Sequence, residues 1–189
     1  MAQAKTLIKD ELDRVLNVVI EGRYPARDRA MIMVSFLSGM RVGEIASLKI
    51  GDVIENDGRI KNEVRLKPEQ TKGKRARTVM IGLKLQKELE DYINTLPNTG
   101  ANEPLFRAQN GGGHFNHNAL VQKFKAIYKM AGVDGASSHS GRRTFITDLA
   151  NKGVSVRVLQ SLAGHRDIGT TQRYIDVNDE MKRQAVELI

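Results

Sequence analysis

The stretch Ala163 to Ile175, AGHRDIGTTQRYI, sets a histidine nine residues ahead of a tyrosine, with two threonines and two arginines between them. Ile168, Thr171 and Ile175 recur at i, i+3 and i+7, a helical spacing that puts Tyr174 beside a core-facing stripe. The pattern predicts two short helices, Ser155 to Ala163 and Ile168 to Tyr174, with Gly164 and His165 between them. Position alone makes Tyr174 a half-buried packing aromatic. It makes His165 a histidine at a helix C-terminus, where its charge suits the helix dipole. Tyr24, Tyr92 and Tyr128 lack such companions and are assigned to packing or surface.

Working outward, the helical period dominates. Leu12, Val15, Leu16 and Val19 define a first helix that starts near Thr6 and ends near Glu21. Pro25 suits the first turn of a second, whose Met31, Val34, Phe36 and Leu37 are too apolar for a surface position, and Gly39 should end it. Val42 to Leu48 reads as a third short helix, so Arg41 sits at a helix-to-helix junction. From Ile50 to Ile81 the period falls to two. IKNEVRLKP (60–68) and RARTVMI (75–81) read as short strands joined by the basic turn EQTKGKR (69–75). Helical patterns return over Leu83 to Leu96, Asn116 to Gly132, Ser140 to Asn151 and a polar C-terminal helix from about Asn178. PNTGANEP (97–104) and AQNGGGHFN (108–116) are loops. The expected fold class is α+β, mainly α, with a small antiparallel sheet.

The 189 residues carry 30 Lys and Arg against 22 Asp and Glu, a net charge of +8 that favours a polyanionic partner. Arg59 to Arg77 alone holds eight basic and two acidic residues, so most of the surplus sits in the hairpin region. Absence of cysteine excludes disulfides, thiolate metal sites and a cysteine nucleophile. The longest apolar run, AMIMVSFL, is far shorter than the ~18 residues that span a bilayer, and the charged N-terminus does not resemble a signal peptide. The expectation is a soluble, cytoplasmic chain with no membrane partner. His114 and His117 in HFNH read as a loop entering a helix rather than a metal pair. NGGGH lacks the Gly-Lys-Ser/Thr of a phosphate cradle.

Four segments in this order carry a resemblance: SGMRVGEIASLKIGDV (38–53), EQTKGKRARTV (69–79), HSGRR (139–143) and AGHRDIGTTQRYI (163–175). Together they resemble the catalytic domain of the tyrosine recombinase, or phage integrase, family over nearly the whole chain, from Thr6 to about Val177. The resemblance implies that Arg41 and Arg142 hold a scissile DNA phosphate, and that Lys72 is a mobile hairpin lysine acting as general acid to the leaving 5′ oxygen. It further implies that His139 handles protons, that His165 donates a hydrogen bond to the phosphate, and that Tyr174 is the nucleophile forming a 3′-phosphotyrosyl intermediate. Lys74 and Arg75 stand close enough to replace Lys72, and with Arg77 and Arg143 they are expected to contact DNA. No metal or cofactor is implied.

Double-stranded DNA is the expected partner, with a monomer when free, a synaptic tetramer on DNA, accessory DNA-bending proteins and a nucleoid location. Residues 1–189 would form one catalytic domain with the family's N-terminal core-binding domain absent, either an excised domain or a short recombinase. Two departures stand out. Many members have Leu where Gly141 stands and His where Arg143 stands. The competing readings are a non-catalytic DNA-binding module of the same fold and a type IB topoisomerase-like enzyme.

Residue chemistry supports the enzymatic reading independently. Attack on a phosphodiester builds charge on its non-bridging oxygens, which forked guanidiniums match. A phenol with pKa near ~10 costs roughly 4 kcal/mol to ionise at neutral pH, so Tyr174 needs cations or a base beside it. His139 and Arg142, three apart at a helix start, share one face, and the helix N-terminus favours an anion there.

Overall fold

A computed structural model describes residues 4–97, 100–108, 113–175, 182–183 and 186–187. Its centre is α2 (Pro25–Ser38), where Ala30 to Val34 are each at most 2% exposed. A helix apolar on every side must be surrounded. Accordingly α1 (Lys9–Ile20), α5 (Leu83–Ile93) and α7 (Ser140–Asn151) pack around it. Gly39 ends α2 in the left-handed conformation (φ 63°). A Cβ there would lie 2.6 Å from the Phe145 ring, so backbone conformation and close packing both call for glycine.

The chain then turns through Met40 and Arg41 into α3 (Val42–Ala46). The next element departs from expectation. Residues 50–53 form a single helical turn, α4 (Ile50–Val53), instead of starting a strand. Ile50 and Val53 are both buried at i, i+3, and the Asp52 carboxylate accepts the Lys49 backbone N–H at 2.9 Å. The period-two signal belongs only to β1 (Glu63–Leu66) and β2 (Arg77–Met80), paired antiparallel from Glu63↔Met80 to Leu66↔Arg77. Val64, Leu66 and Val79 point into the core, and their neighbours along the strands face outward.

Asn116 caps α6 (His117–Met130) by accepting the Ala119 N–H at 2.7 Å. α8 (Val156–Ala163) ends at left-handed Gly164, and α9 (Ile168–Gln172) stops just before Tyr174. The mainly helical α+β expectation therefore holds. The predicted C-terminal helix from Asn178 falls for the most part outside the described residues. Among the described residues, no helix is long and apolar enough to cross a membrane.

Candidate active site

The site is assembled around the C-terminal end of α8. The last carbonyls of a helix have no partner within it and sit at the negative end of its dipole. Here three arginines from distant elements take three consecutive carbonyls. Arg77 on β2 donates to Leu162 O at 3.0 Å, Arg142 on α7 to Ala163 O at 2.7 Å, and Arg41 to Gly164 O at 3.3 Å. Gly164 is required for this convergence. It has φ 62°, and a Cβ on it would come within 2.8 Å of Arg77 Cδ.

Arg142 is only 4% exposed and reaches back with its other terminal nitrogen to Gly39 O at 2.7 Å. Burial, then the nearby charges of Arg41 and Arg77, pull its pKa down to about 10, which leaves it charged at neutral pH. Arg41 and Arg77 share a buried carboxylate. Glu44 accepts from Arg41 at 3.0 Å and from Arg77 at 2.7 Å, and also takes the Arg41 backbone N–H at 2.8 Å. Burial works to raise the Glu44 pKa, but hydrogen bonds and charge from Arg77 and Arg41 outweigh it and keep the carboxylate ionised. One carboxylate against three guanidiniums leaves the floor of the site cationic.

His165 follows Gly164 directly. Its ring stacks on Tyr174 with centroids 5.6 Å apart and planes 22° apart, and its Nδ1 lies 2.9 Å from Thr171 Oγ1. Burial, then the charges of Arg142, Arg41 and Arg77, lower its pKa to about 4, so the ring is neutral at physiological pH. The Arg143 guanidinium also sits 5.4 Å from the Tyr174 ring centroid while donating to Thr6 Oγ1 at 3.2 Å. Thr147 Oγ1 donates to the Tyr174 carbonyl at 3.4 Å. Tyr174 is thus contacted by one neutral imidazole and one guanidinium.

An open cleft of about 560 Å³ runs over this floor, lined by Arg41, Lys72, Arg75, Arg77, His165 and Thr170 among others. Lys72 and Arg75 are exposed on the hairpin turn, whose base is tied by Thr71 Oγ1 donating to Arg75 O at 2.8 Å and Gln70 Nε2 to Asp52 at 2.9 Å. Lys74 is exposed at the tip with φ 48° and does not line the cleft. His139 is exposed at the N-terminal cap of α7. Partial desolvation, then the charges of Arg142, His117, Arg41 and Lys72, lower its pKa below the ordinary histidine value. The structure therefore gathers Arg41, Lys72, Arg75, Arg77, Arg142, His139, His165 and Tyr174 into one region. Arg77 occupies its back wall rather than its open face, with a side chain 12% exposed.

Spacing along the chain links Glu44 to Arg41, three residues before it. Its partnership with Arg77, 33 residues away, left no local signal. His117 was also passed over as a site element. It opens α6, and a Cβ on Gly43 would meet its ring at 3.2 Å. His114 Nδ1 lies 3.2 Å from Ala46 O. Among the described residues, no group of three or more His, Cys, Asp or Glu could hold a metal ion.

The sequence of the chain matches the model of the phage integrase family over residues 5–181. The chain belongs to the phage integrase family. Tyrosine recombinase XerC of Pelobacter propionicus is 29% identical over 159 residues, covering 84% of this chain and 50% of that protein. This integrase-family chain therefore spans about half the length of that curated relative. The crystal structure of XerA recombinase superposes over 100% of the chain and 64% of its own, with TM-score 0.75 at 24% identity. XerH bound to palindromic difH substrate in a post-cleavage complex matches 96% of this chain and 51% of its own, with TM-score 0.70 at 23% identity. At those identities the two structures establish the integrase fold.

Proposed function

We propose that this chain carries out the strand cleavage and rejoining of a site-specific DNA recombinase. The observation that carries the reading is the convergence of Arg41 and Arg142 on adjacent carbonyls of α8, one residue before a histidine that stacks on Tyr174. In the cleavage step the Tyr174 oxygen attacks the scissile phosphorus, and the bond from phosphorus to the 5′ oxygen breaks. The phenolic proton passes to His139, and the leaving oxygen takes a proton from Lys72. Arg41 and Arg142 meet the charge that builds on the non-bridging oxygens, and His165 adds a neutral hydrogen bond. The product is a 3′-phosphotyrosyl link and a free 5′ hydroxyl. Attack by a 5′ hydroxyl of another strand reverses the step and regenerates the phenol.

The finer parts of the reading are double-stranded DNA as substrate, a tetramer assembled on it, accessory DNA-bending proteins and a cytoplasmic, nucleoid-associated location. The basic hairpin beside the cleft supports the first. A docking role for Met181, Ala185, Val186 and Ile189 on a neighbouring subunit rests on their helical spacing and falls mainly on residues outside the described set.

A nicked suicide duplex tests the chemistry. The chain should form an SDS-stable adduct that survives EDTA, and Tyr174→Phe should lose the adduct while still shifting the duplex in a gel. An adduct that persists in Tyr174→Phe moves the nucleophile elsewhere. Cleavage that needs added divalent metal points instead to a nuclease.

A further inference from the structure

Thr171 has no surface exposure, and among the described residues its hydroxyl has a single hydrogen-bond partner, Nδ1 of His165 at 2.9 Å. A hydroxyl carries one hydrogen. A neutral imidazole carries one N–H and one bare nitrogen. Only one hydrogen fits between the two atoms. If Nδ1 supplied it, the Thr171 hydrogen would be buried without an acceptor, at a cost of about 1–3 kcal/mol. If Thr171 supplies it, every hydrogen at the contact has a partner, and the ring's own hydrogen resides on Nε2, the nitrogen across the ring.

We infer that Thr171 is a positioning residue: its hydroxyl donates to Nδ1 of His165 and fixes the ring as the Nε2–H tautomer, which donates into the cleft where a phosphate would lie. Nε2 has no hydrogen bond among the described residues, and His165 lines the cleft beside Arg41, Lys72 and Thr170. Because surrounding arginines and burial keep this ring neutral, its charge does not decide what Nε2 offers an anion. The tautomer does. A bare Nε2 would present a lone pair to the phosphate oxygens and repel them, whereas Nε2–H attracts them. Thr170 and Thr171 therefore have different tasks, one facing the cleft and the other setting the histidine from behind.

The tautomer assignment stands on the free protein, while its catalytic use rests on the recombinase reading, and two measurements separate them. In long-range proton–nitrogen NMR of the full chain, the His165 signals, assigned by their loss in His165→Gln, should show a bare Nδ1 and a protonated Nε2 at neutral pH. Nδ1–H in the wild-type chain overturns the inference without any need for a variant. In Thr171→Val, which keeps the shape and removes the hydroxyl, the preference for Nε2–H should disappear, and in Thr171→Ser it should return. An unchanged Nε2–H tautomer in Thr171→Val also overturns it. In single-turnover cleavage of the suicide duplex, Thr171→Val should slow adduct formation by roughly 10- to 100-fold, with Thr171→Ser recovering most of the rate. A Thr171→Val rate equal to wild type removes the catalytic role. If the wild-type chain has the Nε2–H tautomer but forms no adduct, the recombinase reading fails and the tautomer assignment stands.

Discussion

His165 illustrates how a single side chain links the chemistry to the stability of the fold. Its ordinary pKa of 6.5 applies to the unfolded chain, and its folded value is about 4 because burial and three arginines oppose a further positive charge. Between those values the unfolded chain binds a proton that the folded chain does not. The stability contributed by keeping the ring neutral is thus fully present above about pH 6.5 and is lost as pH falls toward 4. Urea midpoints measured at pH 7, 6 and 5 should decline, and the decline should be shallower in His165→Gln; an identical decline in the variant would mean that this ring does not titrate as described. His139, shifted in the same direction, keeps part of the slope in the variant. Staying above pH 5 avoids the Glu44 carboxyl, whose depressed pKa matters only below its ordinary 4.5. At this scale the sequence was informative where the chemistry is local. The nine-residue offset from His165 to Tyr174 and the His139-x-x-Arg142 frame can be read directly from the chain. The carbonyls that hold the arginines cannot, because Arg41 to Gly164 and Arg142 to Gly39 span 123 and 103 residues and leave no period. Thr171 was visible as one position of a packing stripe, and only its contact with Nδ1 shows that its hydroxyl is used.

Helices place these groups, and α7 against α2 is the contact that matters most. Gly141, where many relatives in the resemblance carry leucine, faces α2 so closely that a Cβ would overlap Ser35 Oγ and lie 2.9 Å from the Phe36 ring. A side chain here would push α7 outward, and Arg142 is the next residue along it. Gly141→Ala should therefore destabilise the protein by about 1–3 kcal/mol in urea unfolding despite alanine's better helix propensity. It should also slow adduct formation by displacing the Arg142 guanidinium. Ser35 Oγ is buried and has no hydrogen-bond partner among the described residues, so Ser35→Ala alone should be nearly neutral or stabilising, and combined with Gly141→Ala it should recover part of the loss. Additive effects in the double variant would deny the contact. The departure at position 141 thus fits a tighter approach of two helices. Element types were readable wherever a period repeats over several turns, as in α1, α5 and α6. The single turn of α4 was not, because four residues cannot display a period, and the backbone bonds from Ile50 to Glu103 and Gly51 to Ala101 tie it to a distant loop. The end of α9 before Tyr174 was likewise unreadable, since the stripe continues past the last helical residue.

Across the whole molecule the charge is divided between two tasks, and salt dependence can tell them apart. The net charge of +8 would ordinarily be taken as one DNA-binding surface. The structure sorts the hairpin cations instead. Lys74 and Arg75 are exposed at the turn, while Arg77 spends its guanidinium on Glu44 and the Leu162 carbonyl. Each cation that contacts a phosphate releases a counterion, so removing it should lower the slope of log affinity against log salt by about one. Lys74→Gln with Arg75→Gln should reduce that slope by up to about two and leave thermal stability unchanged. Arg77→Gln removes one of two cations from a carboxylate that is 1% exposed, which should cost roughly 3 kcal/mol of folding stability and change the slope little. Measuring duplex affinity from low to moderate salt, alongside urea unfolding of each variant, separates the two outcomes. A full unit lost from the slope in Arg77→Gln, with stability intact, would return Arg77 to the DNA-facing surface. The predicted pattern makes Arg77 the strut that lets the cleft concentrate positive charge, since it ties the hairpin strand to Glu44 and the end of α8, the same two features that anchor Arg41.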